Sequence, residues 1–193
     1  GLILVREQEG KKGIGEEEGK VVKRGREMNQ LLRGQAAAVT GWLTNTNGVS
    51  MLGDGRVDMM LWDTGIQLYA NVYYTTDGTL DKHSDVVTQY LRGSARGWAF
   101  ARENPEAAVD MLVDTYGNLD RASELAAVGT VLGFSFNKTT ADKGWGTMNK
   151  ANWQAQIDIY AELGQFKSGV PSVDDVVTLS LLEATDDVRA KVG

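Results

Sequence analysis

Residues 37–74, AAVTGWLTNTNGVSMLGDGRVDMMLWDTGIQLYANVYY, alternate short apolar runs with polar turns, and this alternation constrains the fold more than any other stretch of the chain. Two runs, 37–40 (AAVT) and 57–62 (VDMMLW), predict strands, and each leads directly into a polar turn, at 41–46 and 63–65. In open α/β sheets ligands bind where strands end and loops begin. A third run, 69–74 (YANVYY), predicts another strand whose aromatics face both sides. Trp and Tyr offer flat apolar faces with a polar handle, while Thr and Asn supply the directional hydrogen bonds that orient a ligand in an apolar pocket. The stretch is therefore expected to form the floor of a ligand cleft. The same rings, Trp42, Trp62 and Tyr69, would also serve as the core of a sheet. Against this, GWLTNT at 41–46 sets a large aromatic beside three hydrogen-bonding side chains with one turn-forming glycine, an odd composition for a plain surface turn.

The 193 residues suffice for one large domain or two small lobes with a real core. A hydrophobic share of 42% and a charged share of 24% are those of an ordinary globular protein. The net charge of −6 argues against a nucleic-acid partner, which needs a concentrated basic surface. The one basic cluster, Lys20, Lys23, Arg24 and Arg26, is flanked by Glu16, Glu17, Glu18 and Glu27 and reads as a solvated charged face. The absence of cysteine excludes disulfides, thiolate metal sites and a cysteine nucleophile. No apolar run is long enough to cross a bilayer, and no secretory signal stands at Gly1, as in a mature or truncated chain.

In chain order, Leu2-Ile3-Leu4-Val5 predicts a short buried strand. Residues 6–26 are dense in Gly and charge. Gly13-Ile14-Gly15 hints at a dinucleotide fingerprint, but the next glycine, Gly19, falls one residue late and no strand-turn-helix unit surrounds it. A brief helix is expected over 28–34, with Met28, Leu31 and Leu32 on one side and Gly34 as its stop. After Tyr74, a turn at 75–78 and a helical turn at 79–82 lead to Ser84, the expected N-cap of a helix running through Val87, Tyr90, Leu91, Trp98 and Arg102. Asn104-Pro105 starts the next helix, with Val109, Met111, Leu112 and Val113 as its apolar stripe. Asp120 is expected to cap a third helix closed by Gly133, and Asn149 a fourth, bearing Trp153, Ile157 and Tyr160 and ending at Gly164. Residues 134–145 predict a loop and 171–193 a terminal helix. The chain thus reads as α/β first and mostly helical after.

Several separated motifs now converge. QLLRGQAAAVTGWLTNT at 30–46, WDTG at 62–65, YAN at 69–71, RGW at 96–98 with NPEAAV at 104–109, and GWGTM at 144–148 with Trp153 resemble the thiamine-pyrimidine-precursor branch of bacterial ABC transporter substrate-binding proteins, a group that also takes in nitrate, sulfonate and taurine binders. The resemblance runs from about Met28 to near the C-terminus. It implies an α/β, type II periplasmic-binding-protein fold in which two lobes joined by hinge strands close on a solute. By that analogy residues 1–7 and 60–193 form lobe one and 8–59 a shortened lobe two, with 59–73 returning across the hinge. Family members are longer, so the opening part of lobe one is expected to be missing. The resemblance further implies a binding protein rather than an enzyme, an ABC permease as partner, no cofactor, and a periplasmic or otherwise extracytoplasmic location, with any lipid anchor in a segment outside this sequence.

On the motif positions, the resemblance gives Trp42 as a stacking face, Thr44, Asn45 and Thr46 as hydrogen-bond partners, Asp63 and Thr64 at the hinge mouth, and Tyr69 and Asn71 on the return strand. Asp63 serves equally well as a turn former, and Asn71 as a sheet-edge residue. Trp98, Trp145 and Trp153 are expected to pack. An aromatic cleft with neutral hydrogen-bonding groups suits a flat heterocycle such as a pyrimidine, whereas a bare sulfonate or nitrate would want Arg, Lys or helix N-termini. Alternatives remain at this level, a carboxylate-pair hydrolase among them, although none of Asp54, Asp58 and Asp63 forms a recognisable pair. A pyrimidine-precursor synthase of the same broad group uses pyridoxal phosphate, a sacrificed histidine and a cysteine-rich motif; here cysteine is absent and the single histidine, His83, stands at a helix start. The ligand-sensing domain of a transcription regulator shares the two-lobe fold, but no helix-turn-helix precedes it here. A metal site would need more than one histidine or a tight carboxylate cluster.

Overall fold

A computed structural model describes residues 2–6, 28–65, 67–69 and 71–193, with side chains from residue 28 onward. Gly13-Ile14-Gly15, the acidic run Glu16-Glu17-Glu18 and the basic cluster from Lys20 to Arg26 lie outside the described residues. The chain divides into two compact units, Gly1–Ile66 and Gln67–Gly193.

The first unit holds a three-stranded sheet of β1 (Leu2–Arg6), β2 (Ala38–Gly41) and β3 (Arg56–Met60) in the order β2-β1-β3. Both outer strands pair antiparallel to β1. Leu2 lies opposite Gly41 on one side and Met60 on the other, so the C-terminal ends of β2 and β3 leave the sheet at the same end. Two short helices, α1 (Asn29–Leu32) and α2 (Thr46–Ser50), accompany the sheet. Met28, Leu31 and Val49 are buried together, with Val39, Leu43, Leu52 and Met60 packed on them. Side chains alternate across a pleated strand, and Val39 and Met60 accordingly share the face that meets this cluster, while Val57 and Met59 on the opposite face are exposed. Gly34 stops α1 in a left-handed conformation, φ +66°, as its position predicts. Leu32, expected on the buried side, is exposed; four residues make one turn and bury one flank.

The second unit is helical throughout its described elements: α3 (Asp77–Glu103), α4 (Pro105–Thr115), α5 (Arg121–Ser135), α6 (Lys138–Lys143), α7 (Lys150–Glu162), α8 (Val173–Val176) and α9 (Ser180–Glu183). The caps lie where the sequence places them. Asp120 accepts from the Ser123 amide at 2.9 Å and Asn149 from the Asn152 amide at 2.7 Å, each satisfying a donor that the first helical turn leaves open. α3 begins earlier than expected, capped by Thr76, but keeps a kink at His83, just before Ser84. Ala95, Leu132, Phe136 and Trp145 form the buried core, with Trp98, Ala101, Val128, Val188 and Ala190 against them. On α4 only Val109 of the expected stripe is fully buried; Met111 and Leu112 are exposed. Among the described residues no helix is long and apolar enough to cross a membrane.

Three expectations fail in this unit, in whole or in part. Residues 69 and 71–74 are not strand: Asn71 adopts φ +55°, which breaks the extended repeat, and Tyr69 and Tyr73 find ring partners on α7 and α3 instead of a sheet neighbour. Residues 134–145 are a loop only in part: α5 runs through Gly133 to Ser135, because Leu132 and Phe136 are buried on either side of it, and Asn137 with Thr140 forms a capping box that starts α6, which leaves 136–137 and 144–145 outside the helices. Residues 171–193 hold only the single turns α8 and α9. The β-branched run Val176-Val177-Thr178, which begins on the last residue of α8, disfavours helix through lost side-chain freedom.

Candidate functional site

In the first unit, the register of the sheet brings two predicted site segments together at one end. β2 ends at Gly41 and passes directly to Trp42, a residue that remains 45% exposed. The Trp42 carbonyl accepts from the Asn45 amide at 3.0 Å, closing the turn that holds Thr44, which is half-buried. Asn45 is the N-cap of α2 and its side-chain oxygen accepts from the Gly48 amide at 3.4 Å; Thr46 is the first helical residue. β3 ends at Met60 and continues into a 3-10 turn, Leu61–Thr64, carrying Trp62 (45% exposed), Asp63 and Thr64. The Thr64 hydroxyl donates to the Leu61 carbonyl at 2.7 Å, and Gly65, at φ +90°, ends the turn. Trp62 was not among the expected site residues. The signal for it was its place one residue before Asp63 at the end of a predicted strand, equivalent to that of Trp42 after β2.

Neither loop, 41–46 nor 61–65, contains a Lys or Arg. What these strand ends offer is therefore two accessible indole faces, hydroxyl and amide groups and one carboxylate. That set suits stacking on a planar ring with hydrogen bonds to its edge. It lacks the cationic donors that a small anion calls for.

In the second unit, Tyr69 is occupied by its own fold. Its ring lies 5.5 Å from that of Trp153, and its hydroxyl accepts from the Asn149 amide at 3.0 Å and the Asn152 side-chain amide at 3.4 Å. Tyr69 thus anchors residues 67–69 to the start of α7, reinforced by Gln156, which donates to the Gln67 carbonyl. Asn71 is exposed in its left-handed turn. A different aromatic group forms on α3: Trp98 stacks on Trp145 at 6.0 Å and 24°, Tyr73 lies edge-on to Trp145 and to Tyr90, and Tyr73, Ser94, Gly97, Trp98 and Ala101 line an open groove of about 300 Å³.

Residues 1–108 match the family described as NMT1/THI5 like, more than half of the chain. The chain belongs to the NMT1/THI5-like family. The matched span takes in the whole sheet of the first unit, both strand-end loops and α3. Membership agrees with the motif resemblance to thiamine-precursor-type proteins and to the nitrate, sulfonate and taurine binders. The NMT1/THI5-like family is mainly one of binding proteins, compatible with a chain that is not an enzyme, and it fits a solute-binding role in ABC transport. No curated protein and no solved structure matches this chain.

Proposed function

We propose that this protein is the solute-binding component of an ABC importer, capturing a small heteroaromatic, pyrimidine-like molecule between two lobes and delivering it to the permease outside the cytoplasm. The observation that carries the proposal is the convergence of Trp42–Thr46 and Trp62–Thr64 at one end of the first unit's sheet, in a member of a family mainly of binding proteins. In this function Trp42 and Trp62 stack on the ring, Thr44, Thr46 and Asp63 bond its edge, and Asn45 and Thr64 shape the turns. In this reading lobe one comprises residues 1–7 and 60–193 and lobe two residues 8–59. Closure traps the solute, and only the closed state docks productively on the permease.

Isothermal titration of the protein against pyrimidines, sulfonates and nitrate tests the proposal. Binding of a pyrimidine, weakened about tenfold or more in Trp42→Ala (~1.4 kcal/mol), is the predicted result. Tight binding of a sulfonate or nitrate with no pyrimidine binding overturns the solute class, and turnover of the ligand overturns the function.

A further inference from the structure

Beyond α9 the chain forms neither helix nor strand, yet residues 184–193 are held along the second unit by a series of polar ties. Arg92 on α3 donates to the Ala184 carbonyl at 3.1 Å and makes a two-pronged pair with Asp187 at 2.8 and 2.5 Å. Thr140 on α6 donates to the Val192 carbonyl at 2.7 Å and Arg102 to the Gly193 carbonyl at 3.1 Å. Between these ties sits Arg189, the one charged residue that is buried among the described residues. Its guanidinium donates to the carbonyl of Trp145 and the hydroxyl of Thr147, both at 3.1 Å, and to Asp186 at 2.9 Å. The Trp145 amide in turn donates to the Ala190 carbonyl at 2.9 Å. Strap and loop 144–147 therefore grip each other in both directions at the residue that stacks on Trp98.

Gly144 makes the grip possible. Its φ is +86°, and a Cβ there would stand 3.1 Å from the Arg189 Cβ. The grip is also incomplete. The buried Nε of Arg189 has no hydrogen-bond partner, and its counter-ion Asp186 is half exposed and shared with Lys191. A buried charge with an unfilled donor set is costly to hold, and the apolar share of the strap in the core is limited to Val188 and Ala190. Segments held by polar ties with few apolar contacts open at lower free energy than the core they cover.

We propose that residues 184–193 are a latch, and that Arg189 is the positioning residue through which it sets Trp145 against Trp98. Closing the latch builds the aromatic wall behind the groove of Tyr73, Ser94, Gly97, Trp98 and Ala101. Opening it frees loop 144–147 as one step while α3, α4 and α5 stay folded. The latch lies wholly in the second unit and stands whether or not the strand-end loops of the first unit bind a solute.

Native-state hydrogen exchange on the unaltered protein tests the latch. The amides of Trp145, Thr185 and Val188 are expected to exchange together, on the order of tenfold or more faster than the Phe136 amide at the end of α5, and with weaker dependence on denaturant. Exchange of Trp145 at the rate and denaturant dependence of Phe136 overturns it. The exciton couplet of the stacked indoles in circular dichroism, assigned by its loss in Trp98→Phe, tests the positioning role. Arg189→Ala should lose the couplet with helical content kept, and Arg189→Lys should restore it only in part. A couplet that survives Arg189→Ala removes the role of Arg189, and if that variant does not fold, the exchange experiment on the unaltered protein still decides.

Discussion

The two units place their tryptophans in opposite ways. In the first, Trp42 and Trp62 follow the ends of β2 and β3 and stay 45% exposed, beside a core whose fully buried members are Met28, Leu31 and Val49. In the second, Trp145 is 8% exposed and meets Trp98 and Tyr73, while Tyr69 and Trp153 pair with each other. An exposed indole contributes little to the fold and keeps its face for a ligand; a buried one has already committed that face to a neighbour. In the proposed function the same residue type thus serves the solute in one unit, while it forms core in the other. What separates them is whether the ring follows a strand end or lies over a helix stripe.

The contrast predicts its largest effect on stability. Trp145→Ala should destabilise the second unit by about 3–5 kcal/mol, through lost burial and the cavity left behind, whereas Trp42→Ala and Trp62→Ala should each cost less than about 1 kcal/mol. Urea unfolding followed by circular dichroism makes the comparison, and equal losses at Trp42 and Trp145 would erase it. Next in size are the ties that make Tyr69 a structural residue. Asn149→Ala removes the α7 cap at a cost of about 1 kcal/mol, and Tyr69→Phe removes the two hydrogen bonds its hydroxyl accepts, the shorter of them at about 0.5–1.5 kcal/mol. Neither should change solute affinity in the open protein as Trp42→Ala does; a Tyr69→Phe variant of unchanged stability and lost affinity would return Tyr69 to the ligand.

The smallest effect is electrostatic and belongs to the second unit. The Arg92 guanidinium holds the Asp187 carboxyl below the usual carboxylate range, Arg121 does the same for Asp110, and the Ser123 amide for Asp120. A carboxyl lowered by folding binds fewer protons in the folded than in the unfolded chain. Its contribution is therefore complete above the unfolded value of about 3.9 and is lost as the pH falls through the lower folded value. All three groups are solvent-exposed, so each loss is modest. Melting temperature should be insensitive to these groups from neutral pH to about 5 and fall below about 4, with a shallower fall in Asp187→Asn; an identical acid profile in that variant would show the Arg92 tie to be idle.

Much of the helical unit was legible in the sequence because its signals are local. Asn104-Pro105, Asp120 and Asn149 mark helix starts through groups that bond the first turn, and Gly34 and Gly164 mark ends through conformations other residues avoid. β2 and β3 were legible for the same reason, and with them Trp42 and the turn after it. The failures arose where distant partners decide. Residues 69–74 have strand composition, but Tyr69 and Tyr73 are claimed by Trp153 and Trp145, some seventy to eighty positions on. α6 begins with Asn137 and Thr140, a reciprocal cap without the acidic residue that usually announces one. The strap at 184–193 owes its path to Arg92, Arg102 and Thr140, none of which is near it in sequence. Trp62 was passed over because a strand-end indole and a sheet-core indole have the same local sequence, and only exposure separates them.

The most direct test of the central claim, that the strand-end loops of the first unit capture a solute, is native mass spectrometry of the gently purified full-length protein, followed by denaturation and identification of what is released. The account predicts one small heteroaromatic molecule per chain, returned chemically unchanged and lost from Trp42→Ala. A chemically altered or covalently attached molecule, or the same ligand retained in full by Trp42→Ala, would contradict it.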